Sequence, residues 1–416
     1  MSKSVNLKRF FQSMEAFWEC AGYGSREGLT ILALSQEEKN VRDLLVKWMR
    51  CENLTVKVDD MGNIYGIRHG NNSARKPLAI GSHIDTVQNG GKYDGILGVL
   101  GGLEVIRCLN EAGIETEQDI VLCVWANEEG SRFLPGMAGS GVIAGTRTSE
   151  ECYQNYDTDM SITYKDALVK IDYMGTPENR LGDIEEYLEL HIEQGPVLEK
   201  NNLEVGIVSG IKAMVWNQIT LTGESNHAGP CPMELRKDPL LAAMHVILEI
   251  EKTALENKSS STTSTFGKFD VFPDMTTIIP QKVVFTQDLR SENDEVVEQG
   301  AKKIHDITKE ISQQYHVDYH IEPIGYMESS KFDQRIQNII STAMKKRNYK
   351  FMYLYSGAGH DAFQISKKYP TGMIFVRTKN GKSHVPEEHA DIQDIGKGLQ
   401  ILLDVVICII KNGLSS

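Results

Sequence analysis

The chain has 416 residues, 41% of them hydrophobic and 24% charged; such a composition can fill buried cores, and the length predicts two domains rather than one. Its formal charge of -13 leaves no basic stripe to neutralise phosphates, which argues against a nucleic-acid partner. Seven cysteines, an odd count without a C-x-x-C pair, suit a reducing compartment better than a disulfide framework. The start, MSKSVNLKRFFQ, is basic but lacks an apolar signal region, and the most apolar tail, Ile401–Ile410, is broken by Asp404 and too short to span a bilayer. A cytoplasmic protein with no membrane partner is therefore expected.

In chain order, apolar residues at helical spacing predict helices over Val5–Cys20 and Gln36–Cys51, the second with Val41, Leu44, Leu45 and Trp48 on one face. Alternation over Leu54–Arg68 predicts a hairpin turning at Asp60–Asn63. Pro77–Ser82 and Asp119–Ala126 read as buried strands, with a helix over Gly98–Ala112 between them. This β-then-α order implies a parallel or mixed sheet covered by helices. Near Gly206–Gly210 the pattern changes. Strands over Val215–Gly223, Val283–Leu289 and Val317–Ile324 alternate with helices over Asp238–Ala254 and Asn293–Tyr315, as in a small β-α-β-β-α-β domain; Ser259–Ser264 reads as a polar loop. After Tyr326 the first pattern resumes, with a helix over Asp333–Arg347, a strand over Met373–Val376 and a helix over Asp391–Lys411. The expected fold class is α/β: a discontinuous mixed-sheet domain, residues 1–210 and 326–416, interrupted by a smaller α+β, ferredoxin-like domain, residues 211–325.

Clusters of histidine and carboxylate residues recur beside glycines and after predicted strands, where α/β sheets usually place ligands. They are Gly81-Ser82-His83-Ile84-Asp85, Gly90-Gly91-Lys92-Tyr93-Asp94-Gly95, Asn127-Glu128-Glu129-Gly130, Glu189-Leu190-His191-Ile192-Glu193-Gln194-Gly195 and Gly381-Lys382-Ser383-His384. Taken singly, each reads as a structural histidine or a solvated acidic loop; their repetition carries the signal. Imidazole and carboxylate without thiolate suit zinc, cobalt or manganese. A pair of ions about 3.5–4 Å apart needs one carboxylate to bridge them and makes water a nucleophile near neutral pH. In a Glu-Glu pair the second residue can ligate while the first takes water's proton.

With these motifs in this order, the chain resembles the metal-dependent M20 amidohydrolases, and within them the hydantoinase/carbamoylase branch of N-carbamoyl-L-amino-acid hydrolases, allantoate amidohydrolases and β-ureidopropionases. The segments that carry the likeness are GSHIDTVQNGGKYDG, NEEGSRF with MAGSG after it, ELHIEQGPVLE, NHAGPCPMELRKD, SGAGHDA and GKSHVPEEH. The resemblance implies two divalent ions per subunit, zinc foremost, with manganese, cobalt or nickel as alternatives. It implies Asp94 as the bridging carboxylate, His83 and His191 at one ion, and Glu129 and His384 at the other. Asp85 would orient the His83 ring. Glu128 would be the general base. His227, supplied by the partner subunit of a homodimer, would stabilise the oxyanion. The inserted domain would then serve as lid and dimerisation domain. Arg290 would grip the substrate carboxylate, with Gln194, Thr277 and the Gly359 backbone fixing the rest. His360 is read as structural.

Two positions depart from the branch. Thr277 stands where asparagine is usual, and a hydroxyl cannot copy an amide's donor-plus-acceptor pattern. Pro230-Cys231-Pro232 replaces a threonine-rich turn. The expected activity is hydrolysis of an N-carbamoyl-L-amino acid, with allantoate as the alternative small carboxylate-bearing substrate. A dipeptidase or aminoacylase is disfavoured by ELHIEQG, and a non-catalytic binding protein by the presence of every ligand and of Glu128.

Overall fold

The computed structural model describes residues 4–22, 28–72, 74–256 and 261–415. In chain order the first strands are Thr55–Val58 (β1), Ile64–Arg68 (β2), Leu78–His83 (β3), Ile120–Trp125 (β4), Glu186–Ile192 (β5) and Val205–Ile211 (β6). Next come Ala213–Thr222 (β7), Asn226–His227 (β8), Thr263–Thr265 (β9), Phe269–Phe272 (β10), Ile278–Ile279 (β11), Lys282–Ser291 (β12) and Asp318–Met327 (β13). The chain closes with Ser330–Lys331 (β14), Tyr353–Ser356 (β15) and Thr371–Val376 (β16). It divides into two units, one running to Ser209 and resuming at Lys331, the other spanning Gly210–Ser330.

In the larger unit a nine-stranded sheet has the order β1-β2-β4-β3-β5-β16-β6-β14, with β15 also on β6. The neighbours β4, β3, β5 and β16 are mutually parallel, whereas β1, β2 and β6 pair antiparallel, so the sheet is mixed. Every residue of the four parallel strands is buried, which is why their sequences read as apolar runs rather than alternating patterns. Helix Ile96–Glu111 packs on β3, β4 and β5 and is buried from Ile96 through Leu109. Helix Ile392–Asn412 packs on β16 and β5. The first helix begins at Leu7, two residues later than its apolar pattern suggests, because the Asn6 side chain caps it by accepting the Arg9 N–H.

The smaller unit is an antiparallel sheet of order β10-β12-β7-β13, with β9 also on β12; helices Pro239–Glu256 and Asp294–Gln314 pack on each other and on the sheet. Its core alternates along the strands: Val215, Ile219 and Leu221 on β7, Val283, Phe285 and Leu289 on β12. The unit extends to Ser330 because β13 reaches Met327 and the Ser329 N–H and hydroxyl donate to Asp294. Of the predicted Ser259–Ser264 loop, residues 259 and 260 lie outside the described residues, and its end is the edge strand β9 instead. No helix among the described residues is long and apolar enough to cross a membrane, and all seven cysteines are unbridged.

Candidate metal centre

Because β3, β4, β5 and β16 run parallel, their carboxyl ends share one edge of the sheet, and the histidine–carboxylate motifs sit there. His83 ends β3, His191 lies one residue from the end of β5, Glu128 and Glu129 follow β4, and His384 follows β16. Asp94 arrives from the side, just before Gly95 caps helix Ile96–Glu111. Gly95 has φ +65, and a Cβ there would fall 2.4 Å from His83 Cε1, so only glycine lets that imidazole approach Asp94.

Two donor sets share the Asp94 carboxylate. Asp94 Oδ1 lies 3.1 Å from His191 Nε2 and 3.7 Å from His83 Nε2. Asp94 Oδ2 lies 3.2 Å from His384 Nε2, itself 3.3 Å from Glu129 Oε2. In each set, His83–Asp94–His191 and Asp94–Glu129–His384, one donor atom per residue lies within 4.8 Å of the others. Both buried imidazoles are held by their far nitrogens: His83 Nδ1 is 3.0 Å from the Asp85 carbonyl and His191 Nδ1 is 2.9 Å from the Ile192 carbonyl. Each Nε2 is thereby left facing Asp94. A third grouping, Glu189, His191 and His360, has its donors engaged elsewhere. Glu189 accepts from Ser82 Oγ, Tyr187 Oη and the Ala362 N–H, and His360 Nε2 is 2.9 Å from Ser356 Oγ. His360 packs edge-on against His191, with ring centroids 4.4 Å apart, and forms the floor beneath it.

Asp85 lies against both the His83 ring and the Glu128–Glu129 turn. Its carboxylate is 3.7 Å from His83 Nδ1, and it is the main-chain carbonyl that holds the ring. The carboxylate instead accepts the N–H groups of Glu128 and Glu129, at 3.2 and 3.1 Å. That acidic pair sits on a turn made by Asn127 at φ +55. The turn is tied by Met137 N–H to the Glu128 carbonyl, Gly139 N–H to the Ala126 carbonyl, and Ala126 N–H to Asn63 Oδ1 at 3.0 Å. Asn63 and Asp59, whose carboxylate braces Asn63, look like mere turn residues in the sequence.

Glu128 belongs to neither donor set; its Oε2 is 3.7 Å from His83 Nε2. Burial, followed by the charges of Asp361 and Glu129, pushes its carboxyl well above the usual range. Burial and Asp94 do the same to Glu129. Burial pulls His83 down to about 4. At His191 burial also lowers the value, but the hydrogen bond to Asp94, the charges of Asp94 and Glu189 and the Ile192 carbonyl together outweigh this and raise it to about 9. Glu129 Oε1 and Gln194 Oε1 are buried without a hydrogen-bond partner. Convergent oxygen and nitrogen donors, an orphaned carboxylate oxygen and crowded acids fit a divalent cation.

On the substrate side, Gln194 Nε2 donates to Asp94 Oδ2 at 2.7 Å, and Gly359 is half-buried beside Met137. The other candidates belong to the smaller unit. His227 is exposed on the ribbon of β8 with β11, and the Gly229 N–H donates to its Nδ1 at 3.0 Å, which puts the neutral ring's proton on Nε2. Thr277 adjoins it, its carbonyl accepting the Ala228 N–H. Arg290, on β12, is forked onto Asp288 through Nε and Nη2.

Residues 79–407 match Peptidase family M20/M25/M40. The chain is 38% identical over 387 residues to an N-carbamoyl-L-amino-acid amidohydrolase of Pseudomonas sp. (strain NS671), covering 92% of this chain and 93% of that one. It is 32% identical to the allantoate amidohydrolase of Bacillus subtilis (strain 168), covering 93% and 94%. Its fold superposes with a TM-score of 0.93 on a hydantoinase/carbamoylase family amidase from Burkholderia multivorans, at 37% identity and covering 97% and 98%. The chain therefore belongs to the metal-dependent M20 family, in its hydantoinase/carbamoylase branch.

Proposed function

We propose that this protein is a two-metal amidohydrolase that cleaves an N-carbamoyl-L-amino acid to the amino acid, ammonia and carbon dioxide. The observation that carries the reading is the pair of donor sets sharing Asp94, with Glu128 beside them as a carboxylate outside both sets. His83 and His191 would hold one ion, Glu129 and His384 the other, and Asp94 both. When bound, two divalent ions, zinc foremost and manganese, cobalt or nickel as alternatives, would polarise the scissile carbonyl and acidify water. Glu128 takes the proton from the attacking water and delivers it to the leaving nitrogen. His227 donates its Nε2–H to the carbonyl oxygen as negative charge develops there. Arg290, pre-oriented by Asp288, binds the substrate carboxylate, assisted by Gln194, Thr277 and the Gly359 backbone.

The function includes a homodimer in which His227 serves the partner's metal centre, with the smaller unit as lid and dimerisation domain. The seven unbridged cysteines support a cytoplasmic location. In mixed dimers of inactive His227→Ala and inactive Glu128→Gln chains, some activity should return; silence despite proven subunit exchange would remove the shared site. Allantoate is the second reading, supported by the 32% identity to the Bacillus enzyme. Ammonia release over N-carbamoyl-L-amino acids, allantoate, N-acyl amino acids and dipeptides tests the substrate class. The reading requires turnover of a carbamoyl amino acid above the rest; a preference for dipeptides would refute it.

A further inference from the structure

Glu388 is buried and takes no place in either donor set, yet its carboxylate is fully engaged behind the metal centre. One oxygen accepts the main-chain N–H groups of Tyr93 and Asp94, at 3.0 and 3.2 Å. The other accepts the Ser383 hydroxyl at 2.7 Å, and Ser383 Oγ is also 3.3 Å from Asp94 Oδ2. Gly91 makes the room, since a Cβ there would fall 1.9 Å from Glu388 Cδ. A single carboxylate therefore ties the turn that carries Asp94 to the segment that carries His384, across 295 positions of sequence.

Another buried carboxylate so near Asp94 adds desolvation and repulsion to an acidic cluster. Its hydrogen bonds to two ligand-bearing segments are what that cost obtains. Asp85 makes a matching arrangement at the Glu128–Glu129 amides. An N–H donating to a charged acceptor makes one of the stronger protein hydrogen bonds, and a carboxylate shared between two amides fixes both peptide planes.

We infer that Glu388 is a positioning residue of the metal centre: it clamps the main chain at Asp94 and, through Ser383, the approach of His384, so that the Asp94–Glu129–His384 set is assembled before a cation arrives. This rests on the metal-centre reading above. Outer partners of metal ligands typically contribute about 10–100-fold in metal affinity or activity.

The test is a titration of metal-free, full-length protein with Co²⁺ against a competing chelator, recording stoichiometry, affinity and the visible absorption of bound cobalt. Wild type should take up two ions per chain. Glu388→Ala should weaken at least one of them by about 10–100-fold and change its absorption, while circular dichroism remains that of a folded chain. Glu388→Gln keeps an acceptor for the two amides and should stay within a few-fold of wild type. Gly91→Ala, which evicts the carboxylate without removing it, should reproduce the Glu388→Ala result. Wild-type affinity and spectrum in Glu388→Ala would overturn the inference, as would a glutamine variant as weak as the alanine one. If Glu388→Ala does not fold, Gly91→Ala and Glu388→Gln decide by the same criteria. A wild-type chain that takes up no cobalt would instead defeat the metal-centre reading itself.

Discussion

The buried histidines of the larger unit and the exposed His227 of the smaller one are built in opposite ways. In the larger unit His83 and His191 are buried at the ends of central parallel strands, each with one nitrogen tied to a carbonyl and the other aimed at Asp94. In the smaller unit His227 is exposed on a two-stranded ribbon, and its ring accepts the Gly229 N–H two residues on. A cation is held best by donors fixed before it arrives, and the ends of buried strands supply two of them in His83 and His191, whereas His384 is 47% exposed. Recognition of a small substrate needs groups that solvent and substrate can reach. On the proposed mechanism the metal chemistry belongs to the larger unit, while the smaller one would supply His227 to the developing oxyanion and Arg290 to the substrate carboxylate.

Variants can break that division or sharpen it. The largest effect is expected in the larger unit: Glu128→Gln should keep metal and fold but lower kcat by about 10²–10⁴-fold on every substrate, because glutamine cannot accept water's proton. Steady-state kinetics beside metal analysis decide it, and a kcat within a few-fold of wild type removes Glu128 from the mechanism. In the smaller unit Arg290→Lys should act mainly on KM. Lysine keeps the charge but loses the fork, a loss of roughly 1.5–3 kcal/mol, or about 10–150-fold in binding. An unchanged KM on the best substrate would place carboxylate recognition elsewhere. Thr277→Asn should have the smallest effect, a re-ranking of substrates with little change in the best kcat. If it only impairs the preferred substrate, threonine is fitted to that substrate.

The larger unit's sheet was legible because its central strands are apolar runs and the ligand candidates His83, His191, Glu129 and His384 lie at or beyond the ends of four of them. Edge strands were less so: β9 is Thr-Ser-Thr and β10 carries only Phe269, Val271 and Phe272 as apolar residues, so neither shows a pattern distinct from a loop. At the site, the sequence identifies which residues could bind a cation but not which acids brace the others. Glu388 looks like a solvated acid in the sequence, and Asp85, read there as orienting His83, gives no sign of its bonds to the acidic pair. Their partners are backbone amides 43 and 295 positions away, and only the folded chain reveals them. Asp85 was expected to orient the His83 ring. The turn after β3 brings its main-chain carbonyl to that ring and turns the carboxylate toward the Glu128–Glu129 amides.

The most direct test of a two-metal centre at the sheet edge is to add Zn²⁺ stepwise to chelator-stripped protein while following ammonia release from an N-carbamoyl-L-amino acid. No turnover at zero equivalents, and a rise that levels off only at two per chain, is the predicted result. Undiminished turnover in the stripped protein, or a plateau at a single equivalent, would contradict the account.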